Sequence, residues 1–387
     1  MFVLDFLINL SILISMKVSR AYKYRLYPTT TQECSLTQFV GNNRFFWNFI
    51  LAAAKDNKWN RYSVSKGLPF LKRELPFLKL SPSQALQQVL IDMDKAFSTF
   101  FKRRGGYPNF KKHGIHDSFR IPVVRSSESI NANRSIWIPK LGFVGLRLSR
   151  KIRGEARSLT VSKKAGKWFV SILVIEDVEG KVAVTGKSAG IDLGVKHFAT
   201  TSNGKHIDGP EKVILFLERR IDHMQKRISR SKKRSQNRNK LKLKLQRLYL
   251  TLSNVKEDFL HKVSTALIKS HDLLVLEDLS ITKMSESGKG KAKLNRAILR
   301  QGWYKFRTFL EYKSVWYGCK VLFVPPQFTS QRCNLCGNID KRNRKTQALF
   351  KCLNCGHSEN ADINAAKNIF TVGQTGRAFG ATALAGR

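Results

Sequence analysis

Acid is what this chain has least of. Its 387 residues hold only 27 Asp and Glu against 70 Lys and Arg, a formal net charge of +43. So large an excess of one sign repels itself unless a polyanion faces it, and nucleic acid answers that need better than an acidic membrane surface. Cysteine is also scarce, at six, which excludes a disulfide-stapled secreted scaffold. The longest apolar run, MFVLDFLINLSILIS at residues 1–15, is too short for a bilayer core of about 20 residues and has no basic flank or small-residue cleavage site. No internal repeat of fixed period is present. Wholesale disorder is excluded too, because 42% of the residues are hydrophobic and 10% aromatic. A chain of this length divides into more than one domain.

Met16 opens a text unlike the apolar stretch before it, so translation is expected to start there, with 1–15 an upstream extension; the alternatives are an apolar strand or helix packed onto the body, and a membrane anchor. Residues 17–28 alternate basic and apolar positions and end at Pro28, as a strand does. Residues 31–60, and the stretch from Ser81-Pro82-Ser83 to Gly105-Gly106, carry apolar residues at helical spacing. Phe45, Phe46, Trp47, Trp59 and Tyr62 are expected mostly in the core of this helical piece. From Tyr107 to about Ile175 short runs such as FRIPVV, SIWIP and KWFVSILVIE alternate with turn residues, the pattern of a small barrel. A helical piece is therefore inserted after the first strand of a β-domain. Residues 180–187 are a linker. After them come an apolar strand ending at Asp192, helical text over 211–270, a strand ending in acids at 277–278, a helix, and the strand CKVLFVPP.

Four cysteines, Cys333, Cys336, Cys352 and Cys355, fall as C-x2-C, fifteen residues, C-x2-C. Two such knuckles close tetrahedrally on one Zn²⁺, and the glycine after each pair suits a tight turn. Two disulfides are the competing reading, disfavoured by the absence of a secretion signal. Cys34 and Cys319 are left as buried small apolar residues.

Three acids stand out. Asp192 and Glu277 end apolar strands and Asp362 opens a helix. Taken singly, each is a cap or an ion-pair partner. Gathered at one sheet edge in so basic a protein they require a cation, and Mg²⁺ takes carboxylate oxygens while keeping positions for phosphate and water. Two such ions activate an attacking water and stabilise a leaving 3′-oxygen. Asp278 alternates to the other face. His197 and His261 are read as structural or phosphate-contacting, Asp208 as a turn residue, and Glu359 as a possible helix cap. Residues 226–247 hold eleven Lys or Arg and no acid. Like charges at i,i+4 repel, so phosphate neutralisation by Lys232, Lys233, Arg234, Arg238, Lys240 and Lys242 explains the run better than a solvated face.

GIDLG, LEDL, PPQFTSQRCNLCG and NADINAAKNI, with YKYRLYPT, GYPNFKKH and IPKLGFVGLRLSR upstream, resemble the TnpB family over residues 16–370. These are transposon-encoded, RNA-guided DNA nucleases often labelled transposases. The resemblance implies an α+β multidomain chain. A β-barrel wedge domain (16–30 and 106–180) would carry an inserted helical recognition lobe (31–105). An RNase H-like (RuvC) α/β nuclease domain (186–332 and 356–370) would follow, with a zinc ribbon (333–355) inserted and a disordered tail (371–387). It implies Asp192, Glu277 and Asp362 as catalytic Mg²⁺ ligands; their Asp-Glu-Asp order departs from the Asp-Asp-Glu of strand-transfer enzymes. Ala361 stands where many members carry Arg, and Glu257 where a basic or polar residue is common. Guide RNA and double-stranded target DNA are the implied partners of a cytoplasmic enzyme, with no membrane and no small-molecule substrate. The competing functions are a guide-dependent DNA-binding protein without cleavage, whose mark would be a lost acid, and a zinc-ribbon accessory factor of transposition.

Overall fold

A computed structural model describes residues 15–56, 59–115, 117–122, 130–131, 134–179, 185–279 and 292–376. Residues 1–14 of the expected 1–15 extension and the tail beyond 376 lie outside the described residues, while Ser15, the last of that extension, opens the first strand. The chain forms two compact units, one of Met16–Val178 with Lys242–Arg247, the other of Glu179–Leu241 with Leu248–Arg387.

In the first unit, β1 (Ser15–Tyr27) buries Val18, Tyr22, Tyr24 and Leu26 on one face, the two-residue period of a half-buried strand. Three helices follow before the next strand: α1 (Thr30–Asp56), α2 (Arg61–Glu74) and α3 (Ser83–Phe101). Then come β2 (Ser118–Ile121), β3 (Ile130–Asn131), β4 (Ser135–Ile138), β5 (Gly142–Arg147), β6 (Glu155–Lys164) and β7 (Lys167–Glu179). They assemble as one seven-stranded sheet in the order β2-β6-β7-β1-β5-β4-β3. β1 thus sits between strands more than a hundred residues away, which makes the helices an insertion into a β-domain. Among the described residues the pairing is that of an open sheet, where a barrel was expected. Helix α1 divides its burial. Leu36, Phe39 and Val40 pack on the sheet, while Phe46, Trp47, Ile50 and Leu51 join Leu68, Leu86, Leu90, Met93 and Phe97 in a separate helical core. Trp59 packs at the edge of that core, while Phe45 and Tyr62 are exposed.

The second unit opens with β8 (Ser188–Asp192), β9 (Ala199–Thr201) and β10 (His206–Ile207). Helices α4 (Glu211–Arg230) and α5 (Gln236–Ser270) lead to β11 (Leu273–Glu277). Helices α6 (Ala292–Gln301) and α7 (Trp303–Tyr317) lead to β12 (Lys320–Val324). The sheet order is β10-β9-β8-β11-β12, with β11 parallel to both β8 and β12. A two-stranded ribbon, β13 (Leu349–Lys351) and β14 (Ser358–Asn360), precedes α8 (Ala361–Thr375).

The two faces of this sheet are covered by different helices. Ala189, Ile191, Leu274 and Leu276 pack with Leu260 and Leu267 of α5 and Phe306 and Leu310 of α7. Val275 and Val324 face the other way, against Ile369 and Val372 of α8. Glycine permits that close approach: a Cβ on Gly190 would lie 2.1 Å from the Ala366 carbonyl oxygen, and one on Gly373 2.5 Å from the Val275 methyls. Because Val372 and Gly373 belong to this contact, α8 extends to Thr375, into residues expected to be disordered.

Candidate functional site

Strand alternation aims the acids. Ile191 and Leu276 are register partners on β8 and β11, so the next residues, Asp192 and Glu277, lie side by side. Both occupy the strand face that α8 covers, and Asp362 enters from the first turn of α8. All three line one cavity of about 240 Å³, with Gly194, Lys196, Thr329, Arg344 and Gln347 among its other walls. Asp278, the next residue along, pairs instead with Arg307 of α7, as alternation requires.

The helix start that presents Asp362 is built by asparagines. Asn360 caps α8, its side-chain oxygen accepting from the Asp362 and Ile363 N–H groups. Asn364 and Asn368, one turn apart and fully buried, reach the segment before the first cysteine pair. Asn364 donates to the Arg332 carbonyl at 2.8 Å, and Asn368 donates to Thr329 and Arg332 carbonyls at 2.9 and 2.7 Å. Glu359 is not the cap; it pairs with Lys367 and His357.

The electrostatics are those of a crowded acidic pocket, only partly offset by Arg344 and Lys196. Burial, then the neighbouring Glu277 and Asp362, push Asp192 up to about 8, against a smaller opposing effect of Arg344. Burial also raises Glu277, partly offset by the Thr329 hydroxyl bonded to it. Arg344 lies 3.3 Å from Asp362 and donates to the Gln347 carbonyl as well. Three carboxylates outnumber the two positive side chains on the walls, Arg344 and Lys196, and a cation answers the remaining charge. Carboxylate oxygens are the donors that a hard cation such as Mg²⁺ takes.

The four ribbon cysteines meet. Their sulfurs all lie within 4.8 Å of one another, with Cys333 to Cys355 at 3.7 Å and Cys336 to Cys352 at 3.5 Å. A tetrahedron at the usual zinc–sulfur distance has edges of about 3.8 Å, so the geometry fits a metal such as zinc and the disulfide reading is set aside. Gly337 and Gly356 turn each knuckle at φ +77° and +73°. Their own N–H groups bond to the Cys333 and Cys352 carbonyls. The N–H groups on sulfur are those of Asn338, at Cys336, and His357, at Cys355; the first is the largest of the hydrogen bonds that hold the Cys336 thiol down at about 6.

The basic run spans the end of α4, a turn at Ser231–Ser235, and the first half of α5. Lys232, Lys233, Arg234, Lys240 and Lys242 are exposed. Arg238 is half-buried, its guanidinium donating to the Ile228 and Ser231 carbonyls and clamping the turn between the helices. His197 bonds to Asp208 at 2.6 Å, and His261 stacks on Phe309 at 3.9 Å between ring centres. Thr329, Arg344, Asn364 and Asn368 also build the site and carry no motif of their own in the sequence. The Asn364–Asn368 spacing of one helical turn was the available signal.

Family models match in three places: one described as a helix-turn-helix domain over residues 16–60, one as a probable transposase over 171–288, and one as the TNB domain of Cas12f1-like proteins over 303–369. Residues 16–60 here hold one strand and one long helix, β1 and α1. The chain is 39% identical over 394 aligned positions to the putative RNA-guided DNA endonuclease InsQ of Escherichia coli K12, covering 96% of each chain. The chain belongs to the TnpB family. A second TnpB-family relative, a putative RNA-guided DNA endonuclease of Streptomyces pristinaespiralis, is 32% identical over 389 positions, covering 94% of this chain and 92% of its own. The fold is similar to that of Cas12f1 in a complex with sgRNA and target DNA, with a TM-score of 0.57 at 14% identity, covering 91% of this chain and 98% of that one.

Proposed function

We propose that this TnpB-family chain is an RNA-guided DNA endonuclease that cuts target DNA by Mg²⁺-dependent phosphodiester hydrolysis at Asp192, Glu277 and Asp362. The observation that carries this reading is the convergence of those three acids, from two adjacent strand ends and one helix start, on a single cavity. In domain terms the second unit is a RuvC-like nuclease domain of RNase H type with a zinc ribbon held by Cys333, Cys336, Cys352 and Cys355. The first unit is a wedge domain with its inserted helical lobe.

The acids hold the cation on rigid elements, so their oxygens do not depend on a mobile loop. When bound, a pair of Mg²⁺ ions supplies the charge compensation that the attacking and leaving oxygens need. Thr329 donates to Glu277, and Arg344 offsets charge at Asp362. Lys232, Lys233, Arg234, Lys240 and Lys242 present positive charge to nucleic-acid phosphate. Arg238 combines that charge with its turn contact. Sequence is read by pairing between guide RNA and target, with the protein reading a short flanking element and duplex shape. A binding-only reading requires a missing acid, and all three are present.

The test is to purify the chain expressed with the native end of its gene, sequence the RNA that accompanies it, and offer matched duplex DNA in Mg²⁺. A discrete RNA, and cutting that follows a reprogrammed guide, are expected. Heterogeneous RNA with no guide-dependent cutting would overturn the reading and favour an accessory nucleic-acid-binding factor.

A further inference from the structure

Thr329 lies between the last sheet strand and the first cysteine knuckle, only 2% exposed. Its hydroxyl oxygen is 2.5 Å from Glu277 Oε1 and 3.2 Å from the Pro326 carbonyl. A hydroxyl has one hydrogen to give, and the closer, more strongly accepting carboxylate takes it. The backbone of Thr329 is itself fixed, because its carbonyl accepts from the buried Asn368 side chain of α8. The same amide bonds to Arg332, the residue before Cys333. One helix therefore both presents Asp362 and sets the threonine that grips Glu277.

We propose that Thr329 is a positioning residue for the carboxylate cation site: its hydroxyl holds Glu277 Oε1 and so fixes the direction in which Glu277 offers its remaining lone pairs to a divalent ion. The inference rests on the cation reading of the three acids. A glutamate has three side-chain torsions, and freezing them costs entropy at the moment a cation binds. A buried partner with one preferred torsion meets that cost in advance, which is what outer hydrogen bonds do at metal sites generally. The β-branch matters as well as the oxygen. Threonine is stiff about χ1, so its hydroxyl direction is set by the backbone that Asn368 anchors.

The probe is Mn²⁺, titrated into the full, zinc-loaded chain without nucleic acid and followed by the electron paramagnetic resonance of free Mn²⁺. Thr329→Val removes the donor at nearly constant volume and should weaken Mn²⁺ binding about tenfold, as loss of such partners does elsewhere. Thr329→Ser keeps the donor and should restore most of the affinity. Zinc content and thermal midpoint report whether each variant is folded; should the valine variant fail, Thr329→Ala loses the same bond and is expected to show the same weakening. In the Glu277→Ala background, which removes the acceptor, Thr329→Val should have little further effect, because the two act through one group. Equal Mn²⁺ affinity of folded Thr329→Val and wild type would overturn the inference while leaving the cation site standing. A wild-type chain that binds Mn²⁺ no better than Asp192→Ala would overturn the cation reading itself.

Discussion

Glu277 and Asp278 are consecutive in the chain and belong to opposite sides of one sheet. Glu277 accepts the Thr329 hydroxyl in the acid-lined cavity, while Asp278 pairs with Arg307 of α7. A one-residue slip of β11 would exchange the two. The register that prevents it is set by apolar alternation, Leu274 and Leu276 toward α5 and α7, Val275 toward α8.

Neutralising the two neighbours should therefore have unequal consequences. Glu277→Ala is expected to lower cleavage by roughly a hundredfold or more, the scale of losing a group that stabilises transition-state charge. Asp278→Ala loses a partly exposed ion pair and should change cleavage and stability little, about 0.5 kcal/mol or less. Single-turnover cleavage under saturating guide separates them; comparable losses would mean that the strand register is misassigned.

The ribbon should bind one zinc per chain. Structural zinc contributes directly to folding, so Cys333→Ser or Cys352→Ser should lose the metal and loosen the segment carrying Thr329 and Arg344. Elemental analysis of purified protein checks the stoichiometry. Zinc-free wild type with full cleavage would separate the ribbon from the site.

Close packing of α8 predicts that Gly190→Ala is severe. Its Cβ would meet the Ala366 carbonyl oxygen at 2.1 Å, and backbone cannot yield as a side chain does. Overpacking of this kind costs about 1–3 kcal/mol or more. A lowered thermal midpoint, with Asp362 displaced and cleavage lost, is the expected outcome; an unchanged midpoint would show that α8 sits further from β8.

Lys313 makes a pH-dependent prediction. Its ammonium is buried in α7, donates to the His261 carbonyl and to the Ser264 and Thr265 hydroxyls of α5, and is pulled by burial from 10.5 down to about 8. The folded chain sheds this proton before the unfolded chain does. The cost of burying the charge is thus fully present below pH 8 and is relieved as pH rises from 8 toward 10.5. Relative to Lys313→Met, the wild type should gain stability across that window in denaturant titrations. Parallel pH profiles would mean that the three acceptors fully offset the burial.

The parts legible in the sequence were those with local spacing. The cysteine knuckles show in their C-x2-C repeats, and the acids show as polar ends of apolar strands. What stayed hidden depends on contacts across the fold. Thr329 reaches Glu277 across 52 residues and Asn368 reaches Thr329 across 39, separations that leave no periodic trace. Arg238 shows in the sequence only as one more charge in a basic run, and its second role, donating to the Ile228 and Ser231 carbonyls, depends on how the chain turns after α4. Short apolar runs with turn residues between them show as strands, but whether a sheet closes into a barrel is decided by pairing at its two edges, which strand pattern alone does not specify.

In the proposed function Asp192 and Glu277 serve chemistry and not binding. The most direct measurement compares wild type, Asp192→Ala and Glu277→Ala, each loaded with the co-purified RNA, for binding and for Mg²⁺-dependent cutting of the same matched duplex. Near-equal binding is expected, since removing carboxylates only lowers repulsion from phosphate, with cutting confined to the wild type. Variants that cut at the wild-type rate would contradict the proposed function.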